Sequence, residues 1–338
     1  MKLYGGIDLH SNNHVLALLD DEGQTVYRRR LPNDLATVLE ELAAYREAIE
    51  GLVVESTYNW YWLVDGLMEA GYRVHLANTA AIVQYAGLKY TDDNTDALWL
   101  AKLLRLGLLP EGYIYPKEER AVRDLLRKRS QLVRQRTSNL VSVQNLLARN
   151  RGDSLSANAI KRLSFDQVDR LLPQAHLALA VKSNLGVIRA LDELIDGLEK
   201  VVKAQIKPRP DFQPLLTVSG IGEILGLTIL LETGAIRRFP GVGHYASYCR
   251  CVGSERVSNG KRKGRGNTKN GNKYLAWAYL EAANFAVRYN PLIKRYYQRK
   301  CAATNGWVAL KTVAHKLARA CYYILRDHVA FDVKKAFA

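Results

Sequence analysis

The chain has 338 residues, of which 48% are apolar, with 49 Lys and Arg against 33 Asp and Glu and a formal net charge of +16 at pH 7. No stretch approaches the roughly 18 uninterrupted apolar residues of a membrane helix, so no membrane-spanning helix is expected, while the length allows two or three domains with proper cores. So large a positive excess favours polyanionic partners and fast encounter with them.

The N-terminus, Met1-Lys-Leu-Tyr-Gly-Gly-Ile-Asp8, enters a strand pattern at once and lacks the apolar core of a signal peptide. The four cysteines, Cys249, Cys251, Cys301 and Cys321, have neither zinc-ligand spacing nor a dense disulfide pattern. Both features lead us to expect a cytoplasmic protein with reduced thiols, and the positive excess adds the expectation that it is nucleoid-associated.

The first hundred residues alternate strand and helix signals. Three strands are predicted at Leu3–Leu9, His14–Leu19 and Thr25–Leu31, with Asp20-Asp21-Glu22-Gly23 as a turn. Asn33 or Asp34 is placed to cap a helix reaching about Ile49. A strand ending at Glu55 follows, then a helix over Trp60–Ala70, a strand over Tyr72–Leu76, a short helix near Ala80–Gly87 and a longer one from Thr95 to about Leu106. Three antiparallel strands followed by alternating helices and strands give a mixed sheet flanked by helices, the order of a ribonuclease H-like fold.

Four carboxylates fall at the ends of these elements. Asp8 closes the first apolar run and Glu55 closes Gly51-Leu-Val-Val-Glu55, while Asp93 and Asp96 head a helical pattern. A spacing of three puts the last two on one helix face. Together the four make an oxygen cage suited to Mg²⁺ or Mn²⁺.

Pro110 and Pro116 punctuate the exit from this region. A long helix is predicted from Lys117 to about Asn150, with an apolar stripe through Leu125, Leu132, Leu140, Val143 and Leu147, and a second from Asp166 to Val202. They suggest a helical hairpin or coiled coil, serving either as an internal bundle or for dimerisation. Lys117–Arg151 holds ten Lys or Arg against three acids, and Arg127, Lys128 and Arg134 are its candidate nucleic-acid contacts.

After Lys207-Pro-Arg-Pro210, the turn Thr217-Val-Ser-Gly-Ile-Gly222 precedes an apolar helix, Glu223–Leu231. This is the pattern of a helix-hairpin-helix element, in which the backbone at Gly220 and Gly222 can hold a phosphate. Arg250–Lys273 then carries eight cations against one acid, with five glycines. We expect an internal loop that orders on nucleic acid, with Arg256, Lys261, Arg262, Lys263 and Arg265 as its contacts. Helices near Tyr274–Tyr289 and Ala309–Leu325 close the chain.

In this order, Gly-Ile-Asp8, Val-Val-Glu55-Ser-Thr, Thr-Asp-Asp93-Asn-Thr-Asp96-Ala, Ser219-Gly-Ile-Gly222 and Ser258-Asn-Gly-Lys-Arg-Lys-Gly264 resemble the DEDD transposases of bacterial insertion sequences, specifically the one-ten family of bridge-RNA-guided recombinases. The resemblance runs over about residues 3 to 330.

It implies an α/β plus α chain. Residues 1–110 would be a RuvC-like (ribonuclease H-like) metal-dependent domain, 111–208 a helical coiled-coil linker, and 209–338 a mostly helical C-terminal transposase domain with a helix-hairpin-helix element and a serine loop. Asp8, Glu55, Asp93 and Asp96 match the family's metal ligands, and the family spacing of three selects Asp93 over Asp92. Ser258 is the best match to the family's nucleophile after a one-residue shift from Asn259, with Ser254 in reserve. The implied partners are double-stranded DNA at element ends and target, a structured bridge RNA, and further copies of the chain, as a dimer to tetramer whose sites combine acids and serine from different subunits.

Two rival readings remain. One is a Holliday-junction type metal-dependent endonuclease, which leaves the region after Pro210 unexplained. The other is a non-catalytic nucleic-acid-binding protein, which leaves the four acids unexplained.

Overall fold

A computed structural model describes residues 1–82, 93–206, 209–253, 255–265 and 270–337. By contacts the chain divides into two compact units, Met1–Lys117 and Glu118–Ala338.

The first unit holds β1 (Leu3–Leu9), β2 (Asn13–Leu19), β3 (Thr25–Pro32), α1 (Leu35–Ala43), β4 (Ile49–Glu55), α2 (Tyr61–Glu69), β5 (Val74–Ala77) and α3 (Asp93–Arg105). The strands form one sheet in the order β3-β2-β1-β4-β5. β1, β2 and β3 are antiparallel neighbours, whereas β4 runs parallel to both β1 and β5. The turn into β3 is closed by Asp20, whose carboxylate accepts from the backbone N–H groups of Glu22 and Gln24 at 2.9 and 2.8 Å.

α1 is capped by Asp34, which accepts from Thr37 N at 2.8 Å. It stops at Ala43 rather than near Ile49, because Arg46–Ala48 is a single 3₁₀ turn and Ile49 already belongs to β4. The β-branched run is claimed by the parallel sheet, which overrides helix continuation. Of the helix expected near Ala80–Gly87 the described residues show a 3₁₀ turn at Thr79–Ala81 followed by an extended Ile82, and residues 83–87 lie outside the described residues.

Strand alternation sorts the side chains onto two faces. Leu3, Ile7 and Leu9 of β1, with Leu52 and Val54 of β4, pack under α1 and α2. Val15, Ala17 and Val53 face α3. Gly6 sits on that second face, where an added Cβ would lie 2.0 Å from Ala97 O and 2.7 Å from Ala101 N. The α3 backbone therefore rests directly on β1. We expect Gly6→Ala to cost about 3 kcal/mol through overpacking against backbone that cannot yield. It should also displace the acids carried by α3, so a thermal melt and a cleavage assay should fall together.

The second unit opens with α4 (Lys117–Arg151), followed by α5 (Ala157–Lys161), α6 (Phe165–Leu171) and α7 (Ala175–Ile206). The predicted Asp166–Val202 helix is thus broken. Ser164 and Gln167 make a capping box that starts α6, and Pro173, which lacks an N–H, separates α6 from α7. α4 and α7 pack antiparallel. Leu132 meets Leu191 and Ile195, while Leu140, Val143 and Leu147 meet Val181, Leu185 and Ile188.

The remaining elements are α8 (Phe212–Leu215), α9 (Glu223–Thr233), α10 (Val242–Tyr248), β6 (Glu255–Ser258), β7 (Lys261–Arg265), α11 (Lys273–Tyr289), α12 (Pro291–Ala303), α13 (Gly306–Asp327) and α14 (Val333–Phe337). α9 is buried from Leu225 to Thr233 and lies at the centre of the C-terminal core. Beside it the hydroxyls of Thr233, Tyr245 and Tyr279 form a buried chain with spacings of 2.9 and 2.7 Å. All four cysteines are free, with Cys249 and Cys321 inside this core.

Where a loop was expected after Arg250, the described residues 255–265 form a hairpin. β6 and β7 pair antiparallel, with Ser258 opposite Lys261. Asn259 and Gly260 have φ of 50° and 68°, the left-handed pair that a two-residue hairpin turn demands. No helix among the described residues is long and apolar enough to cross a membrane.

Candidate active site and nucleic-acid surface

Asp8 lies two residues beyond Gly6 on the α3 face of β1. It is 3% exposed. In the parallel pairing of β1 with β4 the last matched pair is Ile7 with Val54, so Asp8 and Glu55 follow it side by side on neighbouring strands. Asp96 in the first turn of α3 completes this group. Burial, the hydrogen bond and charge of Asp8, and the charge of Asp96 push the Glu55 carboxyl up to about 8.

Asp93, the first residue of α3, lies to the other side of Asp8. Its Oδ2 is 3.2 Å from His10 Nε2 and accepts from Arg30 at 2.5 Å. The Arg30 hydrogen bond holds the Asp93 carboxyl below the ordinary value. His10 Nε2 is also 3.3 Å from Asp8 Oδ2. Asp8 is thus common to two groups, one with Glu55 and Asp96, the other with His10 and Asp93. Asp92, the alternative to Asp93, lies outside the described residues.

His10 and Arg30 are absent from the sequence-derived site. For His10 a signal existed, since position 10 repeats the alternation that places 6 and 8 on the α3 face. For Arg30 the signal is visible only once pairing is known: Asp8 pairs with Val15, and Val15 with Arg30, so all three share one row and one face.

The residues fit a hard divalent cation. The donors are mainly carboxylate oxygens, Asp8 Oδ2 is buried without a hydrogen bond, and Glu55 resists ionisation beside its acidic neighbours. A positive charge among them would relieve both conditions.

In the second unit Ser258 ends β6 and is exposed next to the exposed Lys261, Arg262 and Lys263. Arg262 pairs with Glu255 across the hairpin at 3.4 Å. Ser254 and the side chains of Arg256 and Arg265 lie outside the described residues. The foot of the excursion is closed: Arg250 donates to Gly271 O at 2.8 Å, and Asn272 N donates to Tyr248 O at 2.6 Å.

The α4 candidates divide. Lys128 and Arg134 are exposed. Arg127 instead points inward and makes a two-pronged ion pair with buried Glu232 at 2.6 and 2.7 Å, while Asn272 donates to the same carboxylate at 2.7 Å. Arg129 pairs with Glu199 and Arg136 with Asp192. Much of the α4 charge is therefore spent on holding the unit together. Exposed cations missed by sequence reading stand on α12, at Lys294, Arg295, Arg299 and Lys300.

Gly220 has φ of 91°, and an added Cβ would lie 2.2 Å from Ala282 O, so its identity is explained by close packing on α11. Gly222 is exposed and precedes α9. A cavity of about 660 Å³ opens here, lined by residues 216–225 with Phe285 and Tyr289.

A mixed sheet with converging acids beneath one helix, joined to a helical C-terminal part, fits a ribonuclease H-like DEDD domain followed by a helical domain. Residues 5–150 match the family model for DEDD transposases of the IS110 type, and residues 213–298 match the model described as transposase IS116/IS110/IS902 family. The chain is 26% identical to "Probable family 20 transposase" of Pseudomonas aeruginosa over 237 residues, 68% of each chain. It is 23% identical to "Transposase for insertion sequence element IS1111A" of Coxiella burnetii, over 94% of this chain and 84% of that protein. It is also 23% identical to "Insertion element IS900 uncharacterized 42 kDa protein" of Mycobacterium paratuberculosis, over 97% of both. The protein is a transposase, an enzyme that cleaves DNA and transfers its strands. It belongs to the IS110 family of insertion-sequence transposases.

Proposed function

We propose that this transposase is an RNA-guided DNA recombinase that cuts and rejoins strands through a phosphoserine at Ser258, with Mg²⁺ or Mn²⁺ held by Asp8, Glu55, Asp93 and Asp96. The observation that carries the metal reading is the convergence of Asp8 with Glu55 and Asp96 on one side and with Asp93 on the other. A bound cation would supply charge stabilisation at the phosphate and lower the barrier to forming the attacking oxyanion. The acids orient that centre, and Asp8 serves both groups. Ser258 Oγ forms the new P–O bond as the bond from phosphorus to a deoxyribose oxygen breaks, and the serine proton ends on the released sugar hydroxyl. Attack by another sugar hydroxyl reverses the exchange onto a new strand, so no ATP is consumed. Lys261, Arg262 and Lys263 offset the charge on the phosphate.

The family resemblance supports the bridge RNA, the assembly of two to four subunits, the phosphate-binding role of a helix-hairpin-helix turn at Gly222, and the division at residues 110 and 208. Protein purified with the RNA of its whole element is expected to recombine donor and target DNA only with that RNA and a divalent cation. Recombination by RNA-free protein in chelator would overturn the reading.

Binding should depend steeply on salt. Neutralising about eight phosphates gives a log–log slope near −7 on duplex DNA. Replacing Lys261, Arg262 and Lys263 together by Gln should make it shallower by about 3. Arg127→Gln should leave the slope nearly unchanged and lower the melting temperature, because it breaks the pair with buried Glu232. Titrations at four salt concentrations separate these results.

A further inference from the structure

We infer that His10 is a direct metal ligand, which makes the group on the Asp93 side of Asp8 a mixed nitrogen–oxygen site that favours Mn²⁺ over Mg²⁺. The inference rests on the metal dependence proposed above. His10 Nε2 lies 3.3 Å from Asp8 Oδ2 and 3.2 Å from Asp93 Oδ2, and one donor atom from each residue falls within 4.8 Å of the others. Both His10 Nε2 and Asp8 Oδ2 are buried and neither makes a well-aligned hydrogen bond, so what joins the imidazole to the two carboxylates is ion-pair contact alone. Asp8 is 3% exposed and aims this oxygen at the imidazole. A deprotonated nitrogen that converges on two carboxylate oxygens in this way is arranged for a cation that all three can ligate.

The imidazole is held there by its backbone. His10 N donates to Asn13 O at 2.9 Å, and His10 O accepts from the side-chain amides of Asn33 and Asn59 at 3.0 and 2.9 Å. Asn59 is fixed in turn by Thr57 at 2.9 Å. A ligand anchored at three points after the end of a strand needs little reorganisation to bind, which is what a supporting shell supplies at a metal centre. Carboxylate oxygens alone serve Mg²⁺ and Mn²⁺ alike, whereas a neutral imidazole nitrogen adds affinity for a transition metal and little for Mg²⁺.

The test uses the full chain, stripped with chelator and reloaded with Mn²⁺ alone or with Mg²⁺ alone. Calorimetry should give about tenfold weaker Mn²⁺ binding for His10→Ala, with Mg²⁺ affinity changed less than about threefold. Pulsed EPR of the Mn²⁺-loaded wild type should show ¹⁴N modulation from a directly bound imidazole, and His10→Ala should lose it. A matched thermal melt in chelator checks that the variant folds, with His10→Gln as a second variant of similar reach. Mn²⁺ bound tightly by wild type without ¹⁴N modulation overturns the role of His10 and leaves the carboxylate site standing. Failure of wild type to bind either metal overturns the metal reading itself.

Discussion

Glu55→Gln is expected to abolish strand cleavage, by a factor on the order of 100 or more, while making the metal-free protein more stable at alkaline pH. Both effects have one origin. The Glu55 carboxyl is pushed up to about 8, first by burial and then by Asp8 and Asp96. Folding therefore raises its proton affinity above the ordinary value of 4.5. Between those two values the folded state holds the proton more tightly than the unfolded state, so stability falls as pH rises through the window. Partial exposure reduces the full effect to about 2 kcal/mol. Glutamine is neutral throughout and should flatten this profile. Melting curves in chelator from pH 5 to 9, run beside a nicking assay, check both halves. Nicking by Glu55→Gln at the wild-type rate would remove this acid from the site. A wild-type profile as flat as that of the variant would show that the carboxyl ionises freely. Asp93→Asn should also abolish cleavage and spare nucleic-acid binding, but without the alkaline stabilisation, because Arg30 already favours its charged form.

Ser258→Ala is expected to eliminate any covalent protein–DNA adduct while leaving the acidic site intact. Ser258 is the last residue of β6, immediately before the turn. Asn259 already has a conformational reason for its identity, a left-handed φ of 50°. Asn259→Ala should accordingly loosen the hairpin by about 1 kcal/mol and retain the adduct. Protein is mixed with guide RNA and both DNA partners, denatured, and examined for a DNA-linked band. Loss of the band in Ser254→Ala but not in Ser258→Ala would move the nucleophile four residues upstream. Nicked DNA released by wild type without any band would end the serine mechanism.

The sheet was legible in the sequence because its strands are short apolar runs whose ends are marked by Asp20–Gly23, Asp34 and Gly71. Leu3–Leu9 needed no tertiary information. The C-terminal limit of α1 did, since Ile49 is taken by pairing with β1. Asn259-Gly260 is a strong hairpin signal, but the surrounding cations obscured the strands that it joins. Among the site residues, position along a strand or helix was enough to bring Asp8, Glu55 and Asp96 together. Arg30 required the register of two strand pairs. Arg127 was legible only as a cation, because the carboxylate that claims it, Glu232, is 105 residues away in sequence.

The closed foot of the serine hairpin sets a limit on reach. With Arg250 fastened to Gly271 and Asn272 to Tyr248, the arm that carries Ser258 starts at Cys251. Seven residues, even fully extended, span about 23 Å. On the proposed mechanism the hydroxyl would be a tethered reagent confined to a small sphere about its anchor, with a local concentration set by arm length rather than by diffusion. Lengthening the arm between Cys251 and Glu255 would dilute it, and shortening it would shrink the set of phosphates it can address.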